Sequence, residues 1–314
     1  MMNTRAEAFA PATVANLGVG FDILGLALRE PGDIVQVVPC DEPGAHIMRI
    51  EGDNGKLPHE PEKNTACVAA NSVLKLINAQ YGVGITIFKH LPLASGLGSS
   101  AASAVAAAVA VNKLFGDPLS MAELLPACLD GEAAVSGYHA DNVAPSLFGG
   151  ITLVSGTTAD TIRQLPIPAA MHLALVTPAV EVPTSLARSV LPKQVDLHTM
   201  VGQTAAVARL IDALYREDLE ALAAAMESDR VIEPARAHLM PLLAEMRTVA
   251  KRAGAFGLVI SGAGPSLCAI CADEKTAQIV SKTLELAYSE AGYGSTARYT
   301  RISSSGATAR FLDD

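Results

Sequence analysis

The spacing of apolar and polar positions changes several times along the chain, and each change marks an element. Residues 5–9 read as a first strand, and Pro11 to Asp22 as a loop of small residues with two polar side chains, Asn16 and Asp22. Ile34 to Val38 and Ile47 to Ile50 alternate weakly and predict strands, while the turn-rich stretch Glu51 to Pro61 is expected at the surface. Asn64 to Gln80 follows the helical period, with Val68, Val73, Leu74 and Ile77 on one side. An apolar run, Ile85 to Phe88, then leads through the small-residue loop Ala94 to Ser100 into an Ala/Val-rich helix. Asn112 and Lys113 close that helix, with Gly116 just past its end and Pro118 beyond. Met121 to Val135 predicts another helix, capped by Ser120 and kinked or split by Pro126. The segment Gly131 to Gly150 is polar and reads as a loop, and Ile151 to Val154 as a strand.

Beyond residue 157 the pattern shifts. Met171 to Thr177 reads as a strand, Pro183 to Pro192 as a loop or short helix, and 200–214, 218–227 and Ala237 to Ala253 as helices, the last stopped by Gly254. Phe256 to Ile260 and Ser266 to Cys271 read as strands joined by the turn 261–265. An amphipathic helix, Thr276 to Ala291, and a last strand, Ser295 to Ile302, complete the set. Strand, helices, strand, strand, helix, strand is the ferredoxin-like order. The expected division is therefore an α/β half over 1–159 and a ferredoxin-like half over 160–314.

Composition narrows the function classes. At 314 residues, half of them apolar, the chain is long enough for two domains with well-buried cores. A net charge of −9 argues against a nucleic-acid or anionic-membrane partner, though not against a nucleotide, which responds to the local field. The longest alanine/valine run, Ala104 to Val111, is far short of a membrane span, and Arg5 and Glu7 precede any apolar run, so a cytoplasmic protein is expected. Five irregularly spaced cysteines suit a reducing compartment. Cys268 and Cys271 form a C-x-x-C within a predicted strand, where they would face opposite sides, so a buried structural role is expected.

The candidate chemistry begins at Leu91 to Phe115. A strand, a glycine loop and a helix N-terminus in that order can hold a phosphate. Glycines admit close approach, and the first helical N–H groups lack partners at the positive end of the dipole. Ser99 and Ser100 add hydroxyls at the expected cap. No lysine follows Gly98, which excludes a Walker loop. Gly96, Gly98 and Ala101 have Rossmann spacing, but Asp117 is badly placed for the ribose. Glu132, His139, Asp141 and Asn142 fall within eleven residues of each other.

Three stretches together resemble the GHMP kinases: PATVANLGVGFD at 11–22, PLASGLGSSAAS at 92–103 and SGAGPS at 261–266. Within that superfamily ANLGVGFD, HADNVAPSLFGG at 139–150, TSLARSVLP at 184–192 and EPARAHLMP at 233–241 are most similar to the homoserine kinase branch. The resemblance implies an N-terminal domain like the second domain of ribosomal protein S5, a C-terminal ferredoxin-like domain and a site in the cleft between them. It implies transfer of the ATP γ-phosphoryl to the hydroxyl of L-homoserine, and a homodimer. ATP would lie against Asn64 and the loop Pro92, Leu93, Ala94, Ser95, Gly96, Leu97, Gly98, Ser99 and Ser100; Asn64 reads equally as a helix cap. Ser100 and Glu132 would hold Mg²⁺. Asn16, Asp22, His139, Asp141, Arg188 and Arg236 would meet the amino acid, the arginines its carboxylate and the aspartates its ammonium. Asp141, Asn142 and Asn16 form the candidate catalytic set, with Asp141 either a base or a binding group. Gly262 and Gly264 would bring a second glycine loop near the site. Thr13 stands where the mevalonate kinases carry a lysine that supports a catalytic aspartate, which favours the amino-acid branch over a mevalonate, sugar or hydroxy-acid kinase. The remaining alternatives are a non-catalytic relative and, distantly, a Rossmann oxidoreductase.

Overall fold

A computed structural model describes residues 5–312. The first sheet is built from β1 (Ala6–Ala15), β2 (Leu24–Cys40), β3 (Ala45–Glu51), β4 (Gly82–Phe88), β5 (Ile151–Val154), β6 (Ile162–Leu165) and β11 (Thr308–Phe311). Its order is β11-β1-β2-β4-β3, with β5 pairing β2 and β6. Helix α1 (Thr65–Leu76) makes the crossover between the parallel strands β3 and β4; the other pairs are antiparallel. Helices α2 (Ser99–Leu114), α3 (Met121–Ala133) and α4 (Ala140–Phe148) complete this layer, with α2 and α4 lying against β1 and β2.

Helix α2 owes its own alanine-rich sequence to its surroundings. Every residue from Ala101 to Asn112 is buried, on all sides of the helix, because α2 is enclosed by α1, α3 and the sheet. A helix buried all round needs side chains small enough to let these neighbours close on it.

The second sheet has the order β10-β7-β9-β8 and is antiparallel throughout, from β7 (His172–Pro178), β8 (Gly257–Ile260), β9 (Leu267–Cys271) and β10 (Ser295–Thr300). That is the ferredoxin-like order the sequence predicts. Between β7 and β8 run α5 (Thr184–Ser189), α6 (Leu197–Tyr215), α7 (Leu219–Met226), α8 (Ile232–Arg236) and α9 (Leu243–Arg252); α10 (Glu274–Glu290) precedes β10. Among the described residues no helix is long and apolar enough to cross a membrane.

Several expectations are corrected. Strand β1 continues to Ala15 through half of the stretch read as a loop. Its neighbour β11 covers only Ala6 to Phe9, so Pro11 sits where the ladder on that side has ended. The chain after β10 leaves the second sheet: Ile302 bridges Leu28, and β11 closes the edge beside β1. Strands β6 and β11 thus join the first sheet although both lie beyond residue 160. Helix α3 is not split at Pro126, which stands in its second turn. The helix expected from Ala237 begins at Leu243, after Pro241. The polar segment 131–150 is a loop only in part: the end of α3 and the whole of α4 flank a turn at 134–139. Ser99 and Ser100 are the first helical residues rather than caps; Gly98 holds the cap position in the left-handed region. Cys268 and Cys271 are free and buried, and burial pushes the Cys271 thiol up to about 12, which makes both structural.

Candidate active site

The glycine loop is drawn tight by what its carbonyls accept. Ser266 N donates to Ser95 O at 3.1 Å, Ser261 Oγ to Gly96 O at 2.7 Å and Thr13 N to Leu97 O at 3.1 Å. Three successive carbonyls therefore point into the protein, so the intervening N–H groups turn the other way. At Gly96 a Cβ would stand 2.3 Å from Ser261 O, so the loop can close on 261–266 only with glycine there. Helix α2 then opens without a side-chain cap. Free N–H groups at a positive helix end, inside a concave loop, make an anion cradle.

Beneath that helix end lies a cation that sequence reasoning missed. Lys89, at the end of β4, is buried and ion-paired with the buried Asp33 of β2. Its ammonium also donates to Ser99 O (2.9 Å), Ser99 Oγ (2.7 Å) and Ser103 Oγ (2.9 Å). Asp33 in turn accepts from the backbone of His90 (3.0 Å) and Leu91 (3.2 Å). The pair ties β2, β4 and the first turn of α2 into one unit.

Two buried carboxylates face the same space. Glu132 Oε2 and Asp141 Oδ1 are buried without a hydrogen-bond partner among the described residues. Burial raises Glu132 to about 7, opposed by the neighbouring hydroxyls of Ser100 and Ser136 and reinforced by the charge of Asp141. Burial likewise raises Asp141 to about 7, with Asp22 adding to the shift and Arg188 opposing it. An orphaned carboxylate oxygen beside a serine hydroxyl fits a divalent cation that takes its other ligands from a phosphate and water. The described residues contain no cluster of three acidic, histidine or cysteine side chains that could cage a metal alone.

The far end of the cavity carries charges of both signs. Arg188 grips Asp22 through two bonds, of 3.0 and 2.8 Å. Asn16 orients this corner: its Nδ2 donates to Gly262 O at 3.0 Å and its Oδ1 accepts from Asp22 N at 3.2 Å. Arg236 is buried and has no carboxylate partner among the described residues; its Nε and Nη1 donate to Ala187 O and Gly262 O, each at 3.0 Å. Burial, with help from Arg188, lowers it to about 10. Both guanidiniums lie over the Phe21 ring, at 5.3 and 5.1 Å. His139, 3.7 Å from Asp22, is held below the ordinary histidine range by burial and by Arg188. Cradle, carboxylates and arginines share one cavity of about 350 Å³.

Residues 64–150 match the GHMP kinases N terminal domain and residues 210–307 the GHMP kinases C terminal domain. The homoserine kinase of Chloroherpeton thalassium is 40% identical over 90% of this chain and 91% of its own length. The chain belongs to the GHMP kinases. The crystal structure of the homoserine kinase from Cytophaga hutchinsonii superposes on this GHMP kinase with a TM-score of 0.94 at 38% identity, covering 99% of this chain and 98% of that one. Mevalonate kinase from L. major, solved with R-mevalonate, shares the fold, at a TM-score of 0.71 and 18% identity over 95% of this chain and 96% of that one.

In this GHMP kinase most of the residues singled out from sequence line the one cavity: Asn16, Asp22, Leu93 to Gly96, Gly98 to Ser100, Glu132, His139, Asp141, Asn142, Arg188, Arg236 and Gly262. Four are elsewhere. Asn64 caps α1, its Oδ1 accepting from Ala66 N at 3.1 Å, and leaves its neighbour Thr65 on the wall. Pro92 faces an adjoining cavity, Leu97 is buried in the core, and Gly264 packs on Met240. Besides Lys89, sequence reasoning missed Phe21 and Thr65. A lysine ending an apolar strand was a signal for the first; the others carry none.

Proposed function

We propose that this GHMP kinase transfers the γ-phosphoryl of ATP to the side-chain hydroxyl of L-homoserine, giving O-phospho-L-homoserine and ADP in threonine biosynthesis. One observation carries the substrate end: a buried arginine without a counter-ion among the described residues, Arg236, stands beside an exchangeable Arg188–Asp22 pair and Asp141 with its unpartnered Oδ1, in the cavity that also contains the phosphate cradle. An amino acid brings a carboxylate to the guanidiniums and an ammonium to the aspartates, so each buried charge gains a partner. The homoserine kinases among the relatives support the same reading.

The work of such a reaction is positioning and charge neutralisation. The loop 94–98 and the N-terminus of α2 take the phosphates. Ser100 and Glu132 would hold Mg²⁺, which would supply neutralisation of phosphate charge. Lys89 lies under the first turn of α2 and fixes it. Asn16 and Asn142 flank the acceptor hydroxyl. Asp141, poised near neutrality, binds the ammonium or takes the hydroxyl proton. We further propose a cytoplasmic homodimer.

The test is ADP release from Mg-ATP with L-homoserine, mevalonate, galactose and L-threonine offered separately. Turnover with homoserine alone, lost in Ser100→Ala and Glu132→Ala, is expected. Turnover with another acceptor instead would keep the phosphate site and discard the arginine roles. Light scattering of the eluted protein tests the dimer.

A further inference from the structure

Thr13 is fully buried and does not line the cavity, yet three parts of the site meet at this residue. It lies in β1 just past a slip in the pairing with β2, between Pro11 and Thr13. An irregularity of that kind turns the following side chains out of the regular alternation. Its N–H holds the phosphate loop at Leu97 O. Its hydroxyl donates to Asn142 Oδ1, in the first turn of α4, at 2.6 Å. A Cβ on Gly98, the residue that opens α2, would stand 2.1 Å from Thr13 Oγ1 and 2.9 Å from Asn142 Oδ1. The Thr13–Asn142 bond is thus packed directly against the start of the phosphate-binding helix.

The direction of that bond sets what Asn142 offers the cavity. A threonine hydroxyl has one proton, and a buried hydroxyl must place it. Among the described residues the Asn142 oxygen is where it goes. An amide held by its oxygen presents its nitrogen on the other side. Asn142 lines the cavity beside Ser99 and Ser100, and its Nδ2 donates to no protein acceptor among the described residues. We infer that Thr13 is a positioning residue: it locks the Asn142 amide so that two N–H donors, rather than a carbonyl oxygen, face the phosphoryl group as it passes to the acceptor. Donors fixed in advance where negative charge gathers lower the barrier; a reversed amide would set its lone pairs against the phosphate oxygens. The inference rests on the kinase reading above.

Thr13→Val keeps the shape and removes the hydroxyl; Thr13→Ser keeps the hydroxyl. With homoserine and Mg-ATP, Thr13→Val is expected to lower kcat about 10- to 100-fold with both KM values within twofold, and Thr13→Ser to restore most of it. Thr13→Val added to Asn142→Ala should cost nothing more, since Thr13 acts through that amide. An unchanged kcat in Thr13→Val, equal losses in Val and Ser, or full additivity with Asn142→Ala would overturn the inference. Side-chain amide NMR of the ligand-free protein reads the same orientation without turnover. The Asn142 NH₂ pair, assigned by its loss in Asn142→Ala, should move or broaden in Thr13→Val and return in Thr13→Ser; an unmoved pair also overturns it. A wild type inactive on homoserine instead sinks the proposed substrate, and the NMR experiment still decides the role of Thr13.

Discussion

Asp141 pays for its position with stability. Its carboxyl is raised from 3.8 to about 7, so between those values the folded chain holds a proton that the unfolded chain has lost. The stabilising contribution is complete below about pH 4 and disappears as pH rises through 7. In ligand-free Asp141→Asn, the drop in unfolding free energy from pH 5 to pH 8, read by urea titration, should be smaller than in the wild type by about 2–3 kcal/mol. An identical drop would mean that Asp141 titrates normally. Arg236 offers a second residue-scale test. Arg236→Lys keeps the charge but not the planar fork, so the homoserine KM should rise on the order of tenfold or more while the ATP KM holds. Little of this was visible in the chain by itself. Arg188 and Arg236 look like surface arginines until a family likeness marks them, and the pairing of Lys89 with Asp33 joins strands that only folding brings together.

At the scale of elements, the glycine loop and α2 were legible because each part carries its own local signal: an apolar strand, glycines, then an alanine period. The second half of strand β1, from Ala10 to Ala15, was not, because small residues buried on both faces leave no alternation to read. Helix α4 was hidden for the opposite reason, since polar residues crowd the first turn of a short helix. The loop makes a quantitative prediction. Gly98 and Gly116 both sit in the left-handed region, at φ 65° and 83°, but a Cβ meets Thr13 at the first and nothing within 4 Å at the second. Gly116→Ala should cost only the backbone term, about 1–2 kcal/mol. Gly98→Ala should cost more and should abolish measurable turnover, by denaturant melts and ADP release. Equal costs at the two sites would show that the loop gives way and that the close approach is not needed.

Over the whole molecule, the two sheets are stitched together at the site. Gly262 N donates to Ala15 O at 3.1 Å, Asn16 to Gly262 O, and Ser266 N to Ser95 O. The loop proposed to take phosphates is also the seam, so a bound nucleotide should stiffen both halves together. Mg-ATP a hundredfold above its Kd should stabilise by about 2.7 kcal/mol, read as a single melting transition moved upward by several degrees; two transitions, with only one moved, would show that the halves melt apart. The ferredoxin-like order was readable because its strands and helices follow in sequence, whereas the sheet that borrows β11 was not, since nothing in residues 308–311 names β1 as a partner. That borrowed strand imposes an order on synthesis. The second sheet is contiguous from His172 to Thr300 and can close as soon as it emerges. The first sheet, begun at Ala6, must wait with its β1 edge uncovered until Phe311 arrives. At roughly 5–20 residues per second, the ribosome therefore exposes an unfinished sheet for most of the time it takes to make the chain. Proteolysis of ribosome-stalled chains should find the half made later protected before the half made first.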